Sequence, residues 1–157
     1  MQYINPKRRQ IDYERYRIYL ETIRGKLPEH IFLFASNPQH FDLASHSSLH
    51  DAWLEQLIIS EKANGVRGEI RRLEIDLYLL GPFHDRRIHL HYTGVKQYSC
   101  SMSPNAGRAT HGDLFTHEIR LSDAGLIIHE LEFEKGAVLT IECTDFIHSE
   151  KMIAHAA

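Results

Sequence analysis

A chain of 157 residues has the length of one domain and can bury a core without metal or disulfide staples. Its 43% hydrophobic and 25% charged residues are ordinary for a globular protein, and a net charge of −3 lacks the basic excess of a dedicated nucleic-acid binder. No apolar run approaches the roughly 18 residues of a membrane span, and the polar opening residues lack the apolar core of a secretory signal. The expectation is a cytoplasmic single domain over 1–157, with no nucleic-acid or membrane partner. Basic clusters at Lys7, Arg8 and Arg9 and at Arg67, Arg71 and Arg72 read as solvated ends of elements. Cys100 and Cys143 have no C-x-x-C spacing; they read as two buried free thiols rather than a zinc site.

Along the chain, Asn5-Pro6 suits a helix start and Gly25 a stop, which predicts a helix over 7–24. Its tyrosines Tyr13, Tyr16 and Tyr19 read as packing residues with wet hydroxyls. A second helix is expected over 29–36, ending near Asn37-Pro38, and a polar loop over 39–48. The helical part thus spans about 6–37 and a β-rich part about 52–147. Trp53, Leu57 and Ile59 open the first strand, with Asn64-Gly65 as its turn. Ile75, Leu77 and Leu79 alternate with Asp76 and Tyr78, and Ile88, Leu90 and Tyr92 alternate with His89 and His91. Further strands are expected over 95–102, 114–121, 126–134 and 137–145, the last of the chain, with a loop over 103–112. Helices followed by strands mean an α+β fold: one or two N-terminal helices on an antiparallel meander of about five to seven strands, with a β-barrel or sandwich as the alternative. The strands at Trp53 and Leu77 are the ones expected beneath the helices. A short hairpin through Asp123-Ala124 sets His117 against, or diagonal to, His129.

The 12 histidines are the one compositional oddity. Two imidazoles on one strand face can converge on a metal, and His84, His89 and His91 form the candidate set, with a divalent transition metal such as zinc as cofactor. His89 and His91 lie opposite the apolar positions and point to solvent or a covering helix, whereas His117 and His129 lie with the apolar set. Ser48, His50 and Asp51 have a catalytic triad's composition only: neighbours on an extended chain point apart, so His50 and Asp51 are read as a turn or cap. No nucleophile elbow or phosphate loop is present, and a conventional hydrolase is not supported. Glu130, Glu132 and Glu134 line one strand face, a stripe that suits a basic partner. An edge strand near Tyr98 could pair two copies into a homodimer.

The run Ser48-Leu49-His50-Asp51-Ala52-Trp53, with Gly94-Val95 after a strand and His117-Glu118 and His129-Glu130 in the terminal meander, resembles small uncharacterised bacterial proteins. Some of similar shape are immunity proteins, which bind and neutralise a toxin of the same cell. The resemblance implies a non-catalytic cytoplasmic protein with a protein partner, and no site residue is carried over from it. On the residues themselves, that partner would meet Glu130, Glu132 and Glu134, and no cofactor is needed. The alternative is a histidine-based metal-binding protein or metal-dependent hydrolase built on the His84–His91 hairpin.

Overall fold

The computed structural model describes residues 1–4, 13–65, 70–102 and 110–154. The expected helix start at Asn5-Pro6, the basic residues Lys7, Arg8, Arg9 and Arg67, and most of the 103–112 loop lie outside them. Two helices, α1 (Glu14–Ile23) and α2 (Glu29–Ser36), precede β1 (Trp53–Asn64), β2 (Ile70–Leu80), β3 (Arg86–Thr93), β4 (Gln97–Ser101), β5 (Leu114–Leu121), β6 (Ile127–Phe133), β7 (Val138–Cys143) and β8 (Asp145–Met152). The class is α+β, as the patterning predicts.

The strands form two antiparallel sheets, β1-β2-β3-β8 and β4-β7-β6-β5. Because β3 pairs with β8 and β4 with β7, one two-stranded ribbon passes from the first sheet into the second. It bends at Gly94 and Thr144. Gly94 has φ +60°, and a Cβ there would sit 2.1 Å from the Thr144 hydroxyl oxygen. That hydroxyl donates to the Thr93 carbonyl at 3.1 Å, which secures the corner. On the far side, an antiparallel bridge between Trp53 and Asp113 stitches the start of β1 to the residue before β5. Asp51 N–H donates to the Leu114 carbonyl at 2.8 Å and Leu114 N–H to the Ala52 carbonyl at 2.9 Å. The two sheets are therefore joined at both sides, by the continuous ribbon and by this stitch.

Period-two alternation fills the interior. Ile75, Leu77, Leu79, Ile88, Leu90 and Tyr92 of the first sheet are buried, as are Leu131, Phe133, Leu139 and Ile141 of the second, within one hydrophobic cluster. The eight strands exceed the expected number because β8 escapes the pattern. Its inward register continues Phe146 with His148 and Glu150, opposite Leu90 and Ile88, so polarity hides the alternation. The connectivity is not a plain meander, since β8 returns to β3. The helices also lie elsewhere than expected: α1 packs near β5 and α2 on β8, whereas β1 leaves both Ile58 and Ile59 substantially exposed.

Helix α1 buries Tyr16, Leu20 and Ile23, one stripe at helical spacing. Its tyrosine hydroxyls are engaged with the protein, that of Tyr16 in the core. They accept edge-strand amides: Ile119 N–H donates to Tyr16 at 2.7 Å and Leu121 N–H to Tyr19 at 3.0 Å. These bonds occupy donors that would otherwise lie open on the β5 edge. Cys143 is buried, which pushes its thiol up to about 12, but Cys100 is exposed because β4 is an uncovered edge, contrary to expectation.

Two substitutions test this scaffold. Gly94→Ala forces a positive-φ side chain into Thr144 and should cost about 2 kcal/mol or more in urea unfolding. Tyr16→Phe leaves the Ile119 amide without an acceptor and should cost about 1–3 kcal/mol, with far-UV circular dichroism of the folded state unchanged.

Candidate functional site

The glutamate stripe does not stay together. Glu130 faces Glu118 across the β5–β6 pair, and both are buried. Glu118 accepts the backbone amides of Gln2, Tyr3 and Ile4 at 2.9, 2.8 and 2.8 Å. Glu130 is paired with the Met1 amine and with Arg120. Burial alone would raise its carboxyl, but these two cations outweigh that and hold it below the usual carboxylate range. Glu130 is therefore an internal anchor for the first residues of the chain and not a partner contact. Glu132 is half-buried, and of the three only Glu134 is exposed.

Glu134 instead joins residues from two other segments. One carboxylate oxygen each from Asp51, Asp113 and Glu134 lies within 4.8 Å of the others. The β1–β5 stitch produces this convergence, helped by the bond from Glu134 N–H to the Asp113 carbonyl at 2.9 Å. Beside them, Trp53 is 46% exposed and lines a shallow cavity with Leu54, Thr110, His111, Gly112 and Asp113. His84 packs edge-on against the indole, ring centroids 4.3 Å apart. Asp51 has φ +65°, which turns its side chain back until Oδ1 lies 2.8 Å from His50 Nδ1. That approach corrects the expectation that these two side chains point apart, although it is not an aligned hydrogen bond. Ser48 is buried, with its hydroxyl engaged by the His50 amide at 3.2 Å, so no triad forms.

The candidate metal set is also divided. His89 and His91 lie on the outer face of the first sheet as expected, but His84 is drawn away to Trp53 by the left-handed backbone of its turn, φ +55°. The third member is Asp76, directly opposite His91. His89 Nε2 lies 2.8 Å and His91 Nδ1 2.7 Å from the same Asp76 oxygen. Burial would raise the Asp76 carboxyl, yet the two imidazole donors hold it below its ordinary range. Tyr78 stacks on the His89 ring at 4.3 Å, and Glu74 lies 3.6 Å from the remaining His91 nitrogen. Pairing β2 with β3 through the Gly81–Asp85 turn region would have found Asp76 in the sequence, since the hairpin register alone places it across from His91.

Between the two sheets, His117 Nδ1 lies 3.2 Å from His129 Nε2, and Tyr92 Oη 2.7 Å from His129 Nδ1. The two rings share a face on the diagonal, with His117 opposite Leu131 and His129 opposite Ile119. Burial pushes His129 down to about 3 and His117 well below its ordinary value. Both imidazoles are neutral core members at pH 7.

No protein-family model matches the chain, and no curated protein matches it significantly.

The buried histidines contribute to the acid dependence of stability. An unfolded imidazole takes its proton near 6.5, while folded His129 does so only near 3. Acid therefore favours the unfolded chain across that window, and stability should fall as pH drops through it, by at most about 1.4 kcal/mol per pH unit for each such group. Urea midpoints measured from pH 7 to pH 4 should show this slope, and His129→Gln should reduce it by one group's share.

Proposed function

We propose that this chain is a non-catalytic cytoplasmic binding protein of the immunity type, which holds a basic segment of another protein against its Trp53 end. The observation that carries this reading is the convergence of Asp51, Asp113 and Glu134 beside a half-exposed indole. Three carboxylates held this close repel one another, and an arriving guanidinium or ammonium relieves that repulsion. The same cation can sit on the indole face, and exposed tryptophan is a typical anchor of binding energy. Within the acidic surface expected from sequence, Glu134 keeps this role and Glu130 loses it.

Trp53 is the only tryptophan, so its fluorescence reports the site directly. An arginine-rich peptide should quench it saturably and less strongly as salt rises. The triple substitution Asp51→Asn, Asp113→Asn, Glu134→Gln should weaken binding tenfold or more. Equal affinity in the triple variant would count against this surface.

The Asp76–His89–His91 cluster supports a second reading, a histidine-based metal-binding protein. Two imidazoles already share one carboxylate oxygen, so a divalent transition ion need only replace two protons. With Nδ1 of His91 as ligand, Glu74 is placed to orient the ring through Nε2, as outer-shell carboxylates do. Cobalt(II) titration should develop visible d–d bands that His89→Gln with His91→Gln reduces. Identical spectra from wild type and this double variant would dismiss the sheet-face site.

A further inference from the structure

A third group of ligand-type side chains lies on the other side of the first sheet, in a cavity of about 420 Å³ between α2 and β8. It is independent of the sheet-face cluster and of the Trp53 end. His40, His148 and Glu150 each bring one ligand atom within 4.8 Å of the others. They come from separate places: His40 from the turn after α2, and His148 and Glu150 from alternate inward positions of β8. We propose that these three residues form a binding site for a divalent transition cation of the zinc class.

The hydrogen bonding around the three members fixes which atom of each can turn to an ion. His40 Nδ1 lies 3.0 Å from the Phe34 carbonyl, which can only accept, so this nitrogen carries the proton and Nε2 carries the lone pair. The Asn37 amide, 3.3 Å from Nε2, donates to that lone pair and turns aside when an ion takes its place. A backbone carbonyl on the far nitrogen is the usual second support of a metal-bound imidazole. One Glu150 oxygen is occupied by Arg86 at 2.7 Å and the Ser47 hydroxyl at 3.1 Å. The other oxygen faces His148 Nε2 at 3.5 Å. That nitrogen is buried and has no hydrogen-bond partner, an unmet need that a cation satisfies. A tetrahedral ion with bonds of about 2.0–2.1 Å holds its ligands about 3.4 Å apart, so the three donors need only a modest inward shift.

Charge and protonation suit the ion. His40 is buried and His148 half-buried, which favours the neutral imidazole that a metal requires. Arg86 is shared between Asp85 and Glu150, which leaves this group of three with one net negative charge. Two imidazoles and a carboxylate leave a fourth position on the cavity side, where Phe34, Gln39 and Ser47 line the space. Such a set with an open position suits zinc or cobalt(II), which accept mixed nitrogen and oxygen ligands.

The test uses the full chain carrying His89→Gln and His91→Gln, so that sheet-face binding does not contribute. Titration with zinc chloride in a calorimeter should show one ion per chain, and zinc should raise the melting temperature by mass action. Adding His148→Gln should weaken binding at least tenfold, and Glu150→Gln should weaken it less. His148 is partly exposed, so its variant should keep the wild-type circular dichroism, whereas His40 is a core residue. Cobalt(II) bands that survive His89→Gln/His91→Gln and vanish with His148→Gln would support the proposal. Absence of zinc binding in the double variant, or binding unaffected by His148→Gln, would overturn it.

Discussion

At one crossing the chain changes sheets. Gly94 and Thr144 meet where the β3–β4 and β7–β8 segments bend together, and the Thr144 hydroxyl occupies the space that any side chain at position 94 would need. Without that bend the ribbon would run on as one flat pair. Its inward residues would then lose the opposing sheet that buries them. The stitch from β1 to β5 depends on the same turn, since it closes only when the second sheet swings round to meet the first. That closure assembles Asp51, Asp113 and Glu134.

Polar groups are buried in two ways, and the difference separates structure from candidate function. Glu118 is fully buried and accepts three backbone amides, while Glu130 is held between the Met1 amine and Arg120. Such groups are satisfied, and removing a partner would leave a charge stranded. The histidines differ. His129 is bonded at both nitrogens, but His148 Nε2 is buried without a hydrogen bond and faces a cavity. Satisfied burial belongs to the scaffold; unmet burial beside open space is where a ligand has something to gain.

Alternation was legible wherever the inward positions are apolar, as in β2, β3 and β6. It was illegible in β8, where His148 and Glu150 take inward positions, and in the long ribbon, whose corner is marked only by Gly94 and Thr144. The diagonal of His117 and His129 followed from a short hairpin, because turn length sets register locally. Asp76 was missed for want of the same step on the β2–β3 hairpin. His50 and Asp51 misled because a left-handed φ at a residue other than glycine is rare and leaves no signal in composition.

By itself the sequence determined the α+β class, most strand positions, the inward and outward faces, and the absence of the common catalytic motifs. Those properties depend on contacts between near neighbours, which periodicity and turn residues encode directly. The tertiary structure alone decided which distant side chains share a site: Glu134 with Asp51 and Asp113, and His40 with His148 and Glu150. It also decided that Glu130 belongs to the interior. Each of these depends on sheet closure and on where the helices settle, and those are set by the sum of many weak burial contacts.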